Sequence, residues 1–214
     1  RMLVDESRKE IYSGNPQEAR RFLIQVWYPA QPVGGMKQAA WMPEATQVAP
    51  AIASWLVLPE FSLDHLKYVR MPSYTDAPIA QSDELYPLLL FSHGWGGFRS
   101  QTSFLMHELA SYGYVVVSME YPYASLLTVF PDGAVAQHNP QTLPSGVSDE
   151  EYVRAAGRLV DQWVGDLTYT LETVEQMNQP GGEFAGRLDL QRIGVFGHST
   201  GGGATVEFCF RDSR

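Results

Sequence analysis

The segment Gly197-His198-Ser199-Thr200-Gly201-Gly202-Gly203 combines a nucleophile with the small residues that a sharp turn requires. It follows an apolar run, Arg192-Ile193-Gly194-Val195-Phe196, that reads as a buried strand, and precedes Ala204 to Phe210, which reads as a helix. A Gly-x-Ser-x-Gly turn between a strand and a helix is a nucleophile elbow. A serine hydroxyl is a weak nucleophile, so it needs a neighbouring base and a fixed, exposed position. Glycine is expected at Gly197 and Gly201 because a Cβ at either would strike the adjacent strand or helix. A helix opening near Thr200 directs unpaired N–H groups and its positive dipole end toward charge developing on a reacting carbonyl. Without the flanking strand and helix, the same letters would be an ordinary glycine-rich turn.

A second constellation lies upstream. Tyr86-Pro87-Leu88-Leu89-Leu90-Phe91 reads as a short buried strand that runs into Ser92-His93-Gly94-Trp95-Gly96-Gly97-Phe98-Arg99. In α/β-hydrolases the loop after the third strand supplies one N–H of an oxyanion hole, and the residue after the nucleophile supplies the other. Here those are Trp95 and Thr200. Glycines around Trp95 leave the backbone uncovered, so its N–H can face the site.

These two stretches together resemble the platelet-activating-factor acetylhydrolase family of serine esterases. Asp5-Glu6-Ser7-Arg8 and Arg20-Arg21-Phe22-Leu23-Ile24-Gln25-Val26-Trp27-Tyr28-Pro29-Ala30 are similar to that family's first strands, so the resemblance runs from about Asp5 to Arg211. It implies an α/β-hydrolase fold and cleavage of short or oxidised acyl esters, phospholipids being one substrate class. It also implies a lean toward secretion. Relatives of the family include general carboxylesterases and dienelactone-hydrolase-like enzymes.

The elements that must hold these residues alternate along the chain. Phe22 to Tyr28 reads as a strand ended by Pro29, and Tyr114 to Met119 as another. Between the strands, Ser100 to Tyr112 suits a helix with Leu105, Leu109 and Tyr112 on one face. The longest helix starts at Asp149, with Val153, Ala156, Val160, Trp163, Leu167, Leu171 and Val174 as its apolar stripe. Alternating strands and helices imply a mostly parallel sheet with helices on both faces. Two regions interrupt this order: an irregular cover or insert at about 30–84, and a loop at 122–148. Within the first, Ala51 to Leu58 is an apolar patch expected to be buried, the alternatives being a cover over the site or a lipid-facing surface. Within the second, Leu126, Leu127 and Phe130 follow the C-terminal end of a strand, where α/β sites gather ligands. They could wall an acyl pocket or tuck under the neighbouring helix.

The remaining catalytic groups are not apparent. The triad of this fold runs in the order serine, acid, histidine, the acid lying beyond the next parallel strand, and a parallel crossover takes about a dozen residues. Asp212, at the end of the helix after the elbow, is poorly placed for that role. His198 adjoins the serine and should leave the turn on another side; His93 suits a structural hydrogen bond; His65, His107 and His138 lack motif context. The 214 residues are therefore expected to form the N-terminal part of a single α/β-hydrolase domain lacking its last strands. The acid and base would come from a complementing C-terminal segment or chain.

Other classes find little support. The net charge of −9 disfavours nucleic acid and anionic membranes. No apolar run reaches the roughly 18 residues of a spanning helix. Cys209 is the only cysteine, so no internal disulfide can form. His107-Glu108 opens a zinc-type motif, but Ser111 stands where the second histidine would be, so no metal is expected. There is no phosphate-binding loop, and the chemistry needs no cofactor. The expected reaction is hydrolysis of an ester or lipid small molecule through an acyl-enzyme on Ser199. An acyltransferase on the same elbow and a non-catalytic binding module of the same fold are the alternatives.

Overall fold

In chain order the backbone forms β1 (Met2–Lys9), β2 (Ala19–Trp27), β3 (Gln38–Ala40), α1 (Ala45–Trp55), a 3₁₀ stretch (Glu60–Tyr68), β4 (Arg70–Tyr74), β5 (Tyr86–Ser92), α2 (Ser103–Ser111), β6 (Val115–Glu120), β7 (Leu127–Val129), β8 (Val135–Gln137), α3 (Asp149–Met177), β9 (Leu188–Gly197) and α4 (Thr200–Arg211). The computed structural model describes all residues 1–214. Five strands form the main sheet in the order β1-β2-β6-β5-β9. β6, β5 and β9 are parallel, whereas β1 and β2 run antiparallel to their neighbours. The sheet is therefore mixed, with its parallel half beneath the elbow. β1 and β2 can be antiparallel because a short connection joins them; parallel neighbours need a crossover, which α2 and α3 supply.

Period-two side-chain alternation distributes the core to both faces. Leu88, Leu90, Val115, Val117 and Met119 pack with Leu159, Trp163, Leu167 and Leu171 of α3 and Ala204 and Phe208 of α4. Phe91 and Val116 join Trp27, Met106 and Ala110 on the opposite face, under α2. Two expected helix faces shift. In α2 the buried positions are Ser103, Met106 and Ala110; Leu105 and Leu109 are half-buried against the same cluster, while Tyr112 is exposed past the helix end. In α3 the stripe holds from Trp163 to Val174, but upstream it passes through Ala155 and Leu159, leaving Val153 in solvent. Near 3.6 residues per turn, stepping back from Trp163 by four reaches Leu159 and then Ala155, and Val153 lies off that line. Ser148 caps α3, accepting the Glu151 N–H at 3.3 Å, with Asp149, Glu150 and Glu151 in the first turn where the dipole favours them.

Both irregular regions carry structure of their own. Residues 30–84 contain the β3–β4 pair, α1 and the 3₁₀ stretch; residues 122–148 contain the β7–β8 hairpin and a short 3₁₀ turn at Pro140–Thr142. The Ala51–Leu58 patch is not buried as expected. α1 buries Ala45, Val48, Ala49 and Ala53, a one-sided stripe that excludes Trp55, which is 68% exposed. Val57 has a φ of 59°, and the turn there leaves Leu56, Val57 and Leu58 in solvent beside Phe61. No helix is long and apolar enough to cross a membrane.

Candidate active site

β9 ends at Gly197 and α4 begins at Thr200, so the reversal takes place over His198 and Ser199. Ser199 has φ 52° and ψ −123°, a conformation that costs a non-glycine residue about 1–3 kcal/mol unless its surroundings enforce it. They do so by close backbone contact. A Cβ at Gly197 would lie 2.6 Å from the Gly201 carbonyl group, and one at Gly201 would overlap the carbonyl oxygens of Ser92 and His93. The elbow thus closes tightly against the end of β5, and Ser199 is exposed at its tip. Gly201→Ala is expected to destabilise the protein by about 1–3 kcal/mol, the usual cost of overpacking. Gly203→Ala meets nothing within 4 Å and should stabilise by about 0.5–1 kcal/mol. Urea unfolding of the two variants checks this ordering.

The loop after β5 faces the elbow. A Cβ at Gly94 would stand 3.2 Å from the Ser199 Cβ and 3.0 Å from His198 Nδ1, so glycine is what lets this backbone reach the serine. Neither the Trp95 N–H nor the Thr200 N–H is engaged by another group of the chain. The rest of the loop is tightly held. The Gly96 N–H donates to Ala124 O at 2.8 Å, Gly97 N–H to Gly94 O at 2.9 Å, and Leu126 N–H to Gly97 O at 3.0 Å. Trp95 Nε1 donates to Thr142 Oγ1 at 2.7 Å, and its ring meets His138 edge-on at 4.5 Å. At the far end the buried Arg99 guanidinium bonds Glu120 at 2.9 Å and Glu44 at 2.6 Å.

His93 is buried between Tyr121 and Trp163, its ring 5.1 and 5.8 Å from theirs. Its Nδ1 lies 2.7 Å from Gly94 O, and its Nε2 lies 3.1 Å from Ser125 Oγ. Burial pushes its pKa below the ordinary 6.5, with Glu120 and the Gly94 bond pulling weakly the other way. Below about pH 6.5 the unfolded chain therefore takes up a proton that the folded chain refuses, so this group's contribution to stability is lost as pH falls. The melting temperature is expected to drop between about pH 7.5 and about pH 5.5, and the drop should shrink in His93→Asn. Parallel pH profiles for the two proteins would contradict this.

The structure brings Ser199, Trp95 and Thr200 to one place, at the C-terminal ends of the parallel strands. Asp212 follows α4 and pairs with Arg214. The three loop residues separate. Leu126 lies beside the Trp95 loop through its bond to Gly97. Leu127 packs against the Met42, Val48 and Val129 cluster. Phe130 joins Leu23 and Ala136 in a buried cluster under the Arg21 guanidinium, 4.0 Å above its ring. A cleft of about 610 Å³ runs along Ile24 to Ala30, over β2 and its continuation, and none of Trp95, Ser199 and Thr200 lines it. The structural hydrogen bonding expected of His93 is present, but its partner Ser125 and the Arg99–Glu120 contact were not legible in the sequence. Their only sequence signal is a polar residue at a strand end, which is too common to single out.

Comparison with known proteins identifies the family. A family model described as platelet-activating factor acetylhydrolase, isoform II, matches residues 11–214. The chain belongs to that family. A platelet-activating factor acetylhydrolase from Cavia porcellus is 26% identical over 209 residues, spanning 89% of this chain and 47% of the relative. The Gallus gallus acetylhydrolase is 28% identical over 170 residues, spanning 68% of this chain and 40% of its own length. The chain thus spans about half the length of these relatives or less. Among solved structures, a ferulic acid esterase from Streptomyces cinnamoneus superposes with a TM-score of 0.76 at 28% identity, covering 99% of this chain and 54% of that one. The acetylhydrolase-family chain therefore has the α/β-hydrolase fold that its motifs implied.

Proposed function

We propose that this chain carries the nucleophile and oxyanion site of a serine ester hydrolase. The observation behind this reading is Ser199, exposed at a positive φ, facing a glycine loop and flanked by the free N–H groups of Trp95 and Thr200. Ser199 Oγ attacks the ester carbonyl carbon, and its proton passes to a histidine. The two N–H groups hold the negative oxygen of the tetrahedral intermediate. The alcohol leaves with the proton, water attacks the acyl-serine, and the carboxylic acid departs. No step calls for a cofactor. The names of the relatives, acetylhydrolase and ferulic acid esterase, favour esters with a compact acyl group; short or oxidised acyl lipids are the class that the family resemblance implies. Of the three loop residues, Leu126 lies beside the Trp95 loop through its bond to Gly97 and is the one this reading sets against the acyl group; Leu127 and Phe130 pack into separate clusters away from it.

In this reading the triad histidine and acid come from a complementing C-terminal segment or chain of the same enzyme. Three of the five histidines are occupied elsewhere: His93 with Gly94 and Ser125, His107 with Ser73, and His138 with Ser125 O. β9 also lies at the edge of the sheet, where a further parallel strand can add. A fluorophosphonate tests the reading: the intact protein should be labelled at Ser199 and lose hydrolysis of p-nitrophenyl acetate in proportion. Absence of labelling would leave a binding module of this fold as the better description.

A further inference from the structure

We propose that Ser125 and His93 form a hydrogen-bonded relay that aims the Trp95 N–H at the reacting oxygen, making both of them positioning residues of the oxyanion site. The inference rests on the esterase reading above. It follows from one peptide plane. The chain has no cis peptide bond, so in the Gly94–Trp95 unit the C=O and N–H point in opposite directions. Whatever fixes the Gly94 carbonyl therefore fixes the Trp95 N–H. Two donors hold that carbonyl: the Gly97 N–H at 2.9 Å and His93 Nδ1 at 2.7 Å. A carbonyl only accepts, so Nδ1 carries the proton, and the neutral ring must accept at Nε2. Its donor there is the Ser125 hydroxyl at 3.1 Å. Ser125 Oγ in turn accepts the Tyr121 N–H at 3.0 Å, which leaves its own proton free for His93. Every donor and acceptor in the series has one assignment.

The relay ties the loop to a segment distant in sequence, at the C-terminal end of β6. Ser125 is fully buried, and the ring of His93 is packed by Tyr121 and Trp163, which stack at 4.0 Å. Neither side chain has room to choose another partner. The residues do not touch substrate; they act through the direction of one N–H.

The test uses Asn and Gln replacements of His93 in the intact protein. An Asn amide places its N–H near the position of Nδ1, whereas a Gln amide places it near Nε2. His93→Gln and Ser125→Ala are expected to lower kcat for p-nitrophenyl acetate by about 10-fold or more, bounded by the 10²–10³ typical for loss of an oxyanion donor. KM should stay within about twofold, because the N–H matters most in the transition state. His93→Asn should recover most of kcat. Affinity for an alkyl boronate, a tetrahedral analogue, should follow kcat. Should His93→Gln fail to fold, Ser125→Ala carries the test alone. Wild-type kcat and boronate affinity in His93→Gln and Ser125→Ala would overturn the relay and leave the esterase reading intact. So would equal losses in the Asn and Gln variants. A wild-type protein lacking Ser199-dependent hydrolysis would overturn both.

Discussion

Ser199→Ala is expected to reduce kcat for ester hydrolysis by about 10⁵–10⁶-fold, the scale seen when a nucleophilic serine is removed, with KM little changed. Without Oγ there is no acyl-enzyme, and what persists is whatever the two N–H groups contribute to direct attack by water. A pre-steady-state burst of p-nitrophenol should disappear together with turnover. A reduction of less than about tenfold would mean that hydrolysis runs through another group. The same position offers a second readout. Ser199 sits at φ 52°, ψ −123°, where glycine is at ease and alanine is not. Ser199→Gly should therefore raise stability by up to about 1–3 kcal/mol, a gain that Ser199→Ala lacks. Loss of activity and gain of stability would then separate at one residue.

Asp166→Ala is expected to destabilise the protein by about 3–5 kcal/mol, the cost of removing one partner from a buried ion pair. Asp166 lies on the core side of α3 and is fully buried. It accepts from Arg20 Nη2 at 2.6 Å and from Arg8 Nη2 at 2.8 Å. Arg20 is also buried and pairs with Glu10, while Arg8 pairs with Asp5 at 2.6 Å. Burial alone would lower the pKa of Arg20, but its two carboxylate partners raise it above the ordinary value. A guanidinium does not lose its proton in a protein, so the charge persists when Asp166 is removed. The network fastens β1 and β2 to the helix that covers the sheet, so its loss should loosen the antiparallel edge first. Against a typical stability of about 5–15 kcal/mol, that is a large fraction. Glu207→Ala, which breaks an exposed pair with Arg211, should cost at most about 1 kcal/mol. Urea midpoints at constant m-value measure both; equal effects would show that the buried network contributes nothing special.

Asp166 also shows where sequence reading stops. On a helical wheel its neighbours Trp163, Leu167 and Thr170 mark the buried side, yet a carboxylate in that stripe reads as a defect until Arg8 and Arg20 are seen arriving from strands far upstream. The Trp55 patch went wrong in the other direction. Ala51 to Leu58 is apolar throughout, and apolarity by itself says nothing of which side of a short helix meets the body. Phe130 follows a strand end and so reads equally as a pocket wall or as a residue tucked under a helix; which side it faces depends on the hairpin that carries it, and the turn signals at 131–134 set its length without setting its orientation.

What the sequence by itself determined is the local machinery and the fold class. Gly197-x-Ser199-x-Gly201 between an apolar strand and a helix, and the glycine loop after Tyr86 to Ser92, express short-range sterics: where a Cβ can fit and where a backbone must turn. Those constraints act over a few residues, so they are written in consecutive letters. Only the tertiary structure decided that Gly94 lies against Ser199, that Ser125 reaches His93, and that the Trp95 N–H is left without a partner. These contacts depend on the pairing order of β6, β5 and β9 and on the angle at which the 122–148 segment returns over the sheet. Long-range packing sets both, and no local pattern encodes them.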